Sequence, residues 1–194
     1  MRITGIILAG GRNVRMGKNK AFLEVNGERI IDRTKTLFLE IFDEVLLVTN
    51  SLPHYLDLNL RMVADLYPGK GALGGIYTGL FHASSSHAFV AACDMPFLHK
   101  PLIKHLADLS PGFDIVIPKT QDGLQPLHAI YSRKCLPFME DLIRKDNLKI
   151  IDFFHRVKKR EVPTEEILPF DPKLTSFLNV NTPEDLARIK EYLG

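Results

Sequence analysis

Between positions 8 and 20 the chain reads Leu8-Ala9-Gly10-Gly11-Arg12-Asn13-Val14-Arg15-Met16-Gly17-Lys18-Asn19-Lys20, three glycines and four cations in thirteen residues. Glycine lets successive backbone N–H groups turn toward one anion. Arg15 and Lys20 stand where they could neutralise a polyphosphate, the first by forked hydrogen bonds and the second as a point charge. The string is neither the G-x-G-x-x-G dinucleotide fingerprint nor the G-x-x-x-x-G-K-[ST] phosphate loop. On glycine and charge content alone, a solvated turn stays open as the alternative.

Two acidic residues follow apolar runs. Asp94 comes after Ala88-Phe89-Val90-Ala91-Ala92-Cys93 and before Met95-Pro96. There it could hold Mg²⁺, which commonly uses one or two carboxylates and completes its octahedron with phosphate oxygens and water. It could equally cap the helix after Pro96. Asp65 ends the run Arg61-Met62-Val63-Ala64, where it could accept hydrogen bonds from a ligand or simply make the turn into Tyr67-Pro68-Gly69. Gly69, Gly71, Gly74 and Gly75 surround Ala72-Leu73, and backbone groups there could line a base or ribose, with a following helix aiming its positive end at the ligand. Gly79, one turn on, reads as a point of close helix packing.

The elements that must position these residues alternate along the chain. Short apolar runs span 3–8, 45–49, 61–64, 88–92, 114–118, 128–132 and 176–180, and several end in Gly, Asn, Asp or Pro as buried strands do. Helical patterns span 28–40, 72–83, 100–109, 133–144, 150–155 and 183–193. The last carries a start signal in Thr182, Pro183, Glu184 and Asp185. Asn26-Gly27 reads as a tight turn, and 158–172 as a charged surface excursion. Such alternation predicts an α/β fold with a mainly parallel sheet and helices on both faces. Ligands of such sheets sit beyond the carboxyl ends of the strands.

The chain has 194 residues, 45% hydrophobic, a length that fits one domain, 1–194. A net charge of +2 argues against wholesale nucleic-acid or membrane binding. No apolar run approaches a membrane span, and the opening residues lack a secretory cleavage pattern. Cys93 and Cys135 form no disulfide framework. A cytoplasmic protein is expected.

Other residues carry weaker signals. The seven histidines lack H-x-x-x-H or H-E-x-x-H spacing, so zinc is poorly supported. His128 could face a ligand, but a satisfied core or surface histidine is the plainer reading. Cys93 reads as a small apolar residue. Asn50 reads as a turn residue before Ser51-Leu52-Pro53, or as a contact to the base. Lys149, Arg156, Lys158, Lys159 and Arg160 could attract a phosphorylated substrate, though such a run is usually a solvated face. Asn179 and Asn181 flank Val180 and would share one face of an extended segment; Asn181 could also be a turn or cap residue.

The string at 8–20 resembles the L-A-G-G-x-x-x-R-M-G-x-x-K signature of nucleotidyltransferases of the molybdenum cofactor guanylyltransferase kind. The resemblance continues in family order through GKGALGGIYTGL (69–80), CDMPFL (93–98), QPLHAIYS (125–132) and NVNTPEDL (179–186). It implies a three-layer, Rossmann-like nucleotidyltransferase fold. It also implies an Mg²⁺-dependent transfer of GMP from GTP to the terminal phosphate of molybdopterin, releasing pyrophosphate. The resemblance places Mg²⁺ on Asp94, GTP on Asp65, and the molybdopterin side of the site at Asn179 and Asn181. Taken with the loop chemistry, Arg15, Lys20 and Asp94 are the catalytic candidates. The nucleotide-binding candidates are Leu8, Ala9, Gly10, Gly11, Lys20, Asp65, Gly74 and Asp94. Cofactor-delivery proteins are possible partners by family analogy. The Gly10-Gly11 pair resembles the guanylyl branch, where the cytidylyl branch reads Ala-Gly; a phosphosugar or lactyl-phosphate transferase and a noncatalytic nucleotide-binding module are the remaining alternatives.

Overall fold

The computed structural model describes residues 2–10, 20–180, 182, 184, 185 and 187, with Lys20 described in its backbone alone. Arg15, Gly11 and Asn181 lie outside the described residues. At the centre is β1 (Ile3–Leu8), six consecutive buried residues. Parallel to it on one side run β4 (Glu44–Val48) and then β5 (Arg61–Val63); on the other side lies β6 (His87–Ala92), also parallel. Next to β6 comes β9 (His128–Ser132), antiparallel, then β7 (Ile115–Thr120) and the edge strand β10 (Lys159–Pro163), with the two-residue β8 (Gly123–Leu124) paired to β7. A small hairpin, β2 (Glu24–Val25) and β3 (Glu28–Arg29), turns at Asn26-Gly27, both at positive φ (55° and 80°), as a two-residue mirror turn requires. No helix among the described residues is long and apolar enough to cross a membrane.

Helices cover both faces. Side chains alternate across β1, so Ile3 and Ile7 join a core with Phe38, Phe42, Leu102 and Leu106, from α1 (Ile30–Leu39), α3 (Lys100–Asp108) and nearby chain. Ile6 and Leu8 join the opposite core with Leu73, Ile76, Leu80, Met139 and Leu142, from α2 (Gly71–His82) and α4 (Leu136–Arg144). The mainly parallel, three-layer α/β architecture expected from the periodicity is what the chain forms. Gly79 has the packing role read from sequence: a Cβ there would lie 2.7 Å from Ile6 Cδ1 and Cγ2.

Several local expectations give way. The chain at 158–172 is no excursion: β10 pairs in parallel with β7, and the short α5 (Thr164–Ile167) follows. Only Val162 of β10 is fully buried, and Lys159, Arg160 and Glu161 are engaged in ion pairs, so the strand lacks an alternating apolar signal. Residues 150–156 form a 3-10 turn rather than an α-helix, burying Phe153 and Phe154 side by side. Residues 133–135 wind as 3-10 before α4 begins. The run at 176–180 is not a strand, because Asp171 accepts the N–H groups of Thr175 and Ser176 and bends Thr175–Phe177 into a 3-10 turn. Thr182 does cap: it exchanges hydrogen bonds with Asp185 in both directions, at 3.0 and 3.1 Å.

His128 is a core residue but not a satisfied one. It is fully buried between the rings of Phe89 and Phe177, and among the described residues neither ring nitrogen has a hydrogen-bond partner. Burial pushes its pKa down from 6.5 to about 3; the nearby Asp171 opposes this shift and His99 adds to it. The native state therefore refuses a proton that the unfolded chain accepts below pH 6.5, and stability falls with pH through the interval from 6.5 to about 3. We expect a loss of roughly 1.4 kcal/mol per pH unit in the steep part of that interval. His128→Phe should flatten the dependence at no cost near pH 7; equal acid slopes for both proteins in urea titrations would refute this. Gly79→Ala should cost about 1–3 kcal/mol in the same titrations, because β-branched Ile6 cannot yield freely; an unchanged midpoint would count against the packing role.

Candidate active site at the strand ends

Four parallel strands stop in line. Leu8 is paired in register with both Val48 and Ala92, and Val48 with Val63. One residue further, backbone bonds still join neighbours: Ala9 N–H to the Val48 carbonyl (2.9 Å), Thr49 N–H to the Val63 carbonyl (3.0 Å) and Cys93 N–H to the Leu8 carbonyl (3.0 Å). Two residues past each end come Asp94, Gly10, Asn50 and Asp65, in that order across the sheet edge. At strand spacing the row spans roughly 14 Å. Leu8, Ala9, Gly10, Asp65 and Asp94 are thus brought together, with Leu8 and Ala9 buried and Gly10 exposed. Among the described residues, nothing lies within 4 Å of where a Cβ at Gly10 would stand.

Asp65 is both a turn residue and a held carboxylate. Its Oδ1 accepts from the Tyr67 N–H (3.0 Å) and the Thr78 hydroxyl (3.0 Å), while its own N–H donates to Asn50 Oδ1 (3.0 Å). Thr78, fully buried on α2, also accepts from the Leu66 N–H at 2.9 Å. Oδ1 thus has both lone pairs engaged, and Oδ2 is the oxygen left to meet a ligand donor. Gly74 makes this arrangement possible, since a Cβ there would stand 3.0 Å from the Tyr67 carbonyl and 3.3 Å from Asp65 Oδ1. Gly74 is buried, and it lets the 65–70 turn close onto α2. The α2 N-terminus has no side-chain cap. Sequence reasoning missed Thr78, whose one available signal was its place four residues after Gly74, on the same helix face, and took Asn50 for a turn former. Thr49 makes that turn, accepting from the Ser51 N–H.

Asp94 follows β6 in a tight bend, with Met95 N–H on the Ala92 carbonyl and Asp94 Oδ1 shielded from water. Its carbonyl accepts the Val180 N–H at 2.8 Å, which brings the Asn179 segment to the same edge. Val180 is buried with Val25 and Ile30, while Asn179 is exposed. Lys20 begins the 3-10 turn Lys20–Phe22, anchored by fully buried Ala21. Cys93 is buried in the core, as its apolar reading predicts.

The basic stretch is a neutralised surface. Lys149 pairs with Asp152, Arg156 with Asp141, Lys159 with Glu161 and Arg160 with Glu166, and Lys158 lies over the Phe113 ring. An open cleft of about 1120 Å³ there has Asp141, Lys145, Asp152 and Arg156 in its wall, acids and bases already matched.

Comparisons with known proteins show the family and the fold. The family model described as MobA-like NTP transferase domain matches residues 5–159. A Pelotomaculum thermopropionicum protein named "Probable molybdenum cofactor guanylyltransferase" is 39% identical over 98% of this chain and 93% of its own length. A Desulfosudis oleivorans protein named "Molybdenum cofactor guanylyltransferase" is 36% identical over 96% of this chain and 93% of its own. The crystal structure of molybdopterin-guanine dinucleotide biosynthesis protein A from Archaeoglobus fulgidus superposes with a TM-score of 0.84 at 29% identity, covering 98% of both chains. With a family match across most of its length and relatives at 36–39% identity, the chain belongs to the MobA-like NTP transferases, among the molybdenum cofactor guanylyltransferases.

Proposed function

We propose that this chain transfers GMP from GTP to the terminal phosphate of molybdopterin in the cytoplasm, releasing pyrophosphate. The observation that carries the reading is the row Asp94, Gly10, Asn50 and Asp65, which sets a carboxylate at each end of a glycine-bearing strand edge, in a chain of this family. The base lies toward Asp65, whose Oδ2 accepts a guanine N–H. The triphosphate lies along the 8–20 loop, against backbone amides, Arg15 and Lys20. Asp94 stands at the phosphate end and Asn179 at the acceptor side.

Asp94, a carboxylate two residues past the end of β6, has the donor chemistry that suits Mg²⁺, which keeps most of its positions for phosphate and water. Held by Asp94, the ion would supply charge neutralisation to phosphoryl oxygens. The acceptor phosphate, with a second pKa of about 6, is largely dianionic at neutral pH and needs no strong base. One of its oxygens forms a bond to the α-phosphorus as the α–β bridge breaks, and the electron pair leaves on pyrophosphate. The protein's contribution is positioning by the amides of the loop and charge balance from Arg15 and Lys20.

Transfer of label from α-labelled GTP should occur to molybdopterin and not to simple phosphosugars; label on the sugars, or none on molybdopterin, would refute the acceptor. Asp94→Ala should cut transfer by about a hundredfold or more with the melting temperature retained, and near-native transfer would remove Asp94 from the mechanism. Thr78→Val should weaken GTP binding about fivefold by releasing Asp65 Oδ1, with Thr78→Ser intermediate. Titration calorimetry finding equal GTP affinity in all three proteins would dismiss the link.

A further inference from the structure

Asp171 is a fully buried carboxylate outside the strand-end row. Its two oxygens accept three hydrogen bonds: from Thr175 N–H (3.0 Å), the Thr175 hydroxyl (3.2 Å) and Ser176 N–H (2.8 Å). The intervening Leu174 sits at φ 53°, left-handed backbone that a bulky side chain rarely adopts. Burying a carboxylate and holding a strained leucine are both unfavourable, so they persist only where the surroundings over-determine them.

What this arrangement fixes is a path to Asn179. The Ser176 hydroxyl accepts from the His99 N–H (3.1 Å) and donates to the Phe97 carbonyl (3.4 Å). The His99 ring donates through Nδ1 to the Phe170 carbonyl (3.2 Å) and places Nε2 3.1 Å from the Thr175 hydroxyl. Phe177 packs edge-on against His128, their ring centroids 5.0 Å apart. Val180 N–H then reaches the Asp94 carbonyl. The segment is pinned at 175, 176, 177 and 180, and the exposed residue between the pins is Asn179. The loop being pinned against is 94–99, which begins with Asp94.

We propose that Asp171, acting through Thr175 and Ser176, is a positioning residue that holds the Asn179 segment in register with the Asp94 loop and so places the acceptor phosphate for transfer. The proposal rests on the activity reading above. Asp171 is fully buried; its effect reaches the acceptor through the backbone N–H groups of Thr175 and Ser176 and through the Thr175 hydroxyl.

The test uses the full chain with Thr175→Val, Thr175→Ser and Ser176→Ala, measuring kcat, KM for molybdopterin, Kd for GTP and melting temperature. Thr175→Val should raise KM for molybdopterin about fivefold to tenfold with GTP affinity unchanged, and Thr175→Ser should restore it. Ser176→Ala should give the same acceptor-side signature and serves if the valine protein does not fold. Valine and serine proteins with the same acceptor KM, or a loss of GTP affinity matching the rise in acceptor KM, would overturn the positioning role while leaving the activity standing. A wild-type chain that moves no label to molybdopterin would overturn the activity reading and the acceptor role together.

Discussion

The strands β6, β1, β4 and β5 end in line because their register leaves Leu8 opposite both Ala92 and Val48, and Val48 opposite Val63. Both faces of β1 are buried, with Ile3 and Ile7 on one side and Ile6 and Leu8 on the other. A slip of one residue would exchange these two sets, and neither core could accept the other's side chains. The same register determines which residues stand two positions beyond the sheet. Packing and site geometry are therefore one constraint: the core that holds the strands also decides that Asp94, Gly10, Asn50 and Asp65 line up.

Beyond the sheet the chain is held by polar contacts, and these differ in kind on the two sides of the site. Around Asp65 they are short links among Asn50, Thr78 and the 65–67 turn, and a glycine at position 74 gives the turn room to close. Around Asn179 a single buried carboxylate gathers the donors, and the segment is tied across to His99, Phe97 and the Asp94 carbonyl. His128 lies beneath the second group with its nitrogens unmatched, wedged between Phe89 and Phe177. Polar groups that have partners fix the loops; His128, buried with its ring nitrogens unmatched among the described residues, couples the core to pH.

Much of this was legible in the residues. The spans 3–8 and 128–132 match β1 and β9 at both ends, since each is a continuous buried run, and the helices over 72–83 and 100–109 agree with α2 and α3 to within a residue. The rule that ligands gather past strand ends led to Gly10, Asp65 and Asp94 before any coordinate. What stayed hidden was non-local or polar. No pattern links Asn50 to Asp65 across 15 positions or Thr78 to Asp65 across 13. β10 is a strand of charges whose apolar content is Val162, and the 175–177 turn follows from a side chain four residues upstream rather than from its own composition. The cations of 149–160 look free in sequence, and folding supplies their acidic and aromatic partners.

The reversed direction of β9 has a consequence for how such a chain can diversify. Its neighbours β6 and β7, both antiparallel to it, reach this edge by leaving the sheet, whereas β9 begins there, so the edge beside Asp94 is also lined by residues that precede a strand, 125–127. That corner has its own support, Gln125 N–H on the Pro118 carbonyl and the Tyr131 hydroxyl on the Pro126 carbonyl. Lengthening or recolouring the 121–127 connection would remodel the edge beside Asp94 while the register of β6, β1, β4 and β5 stayed untouched. Two halves of a binding surface, one delivered by exits and one by an entrance, can evolve at separate rates within a single sheet.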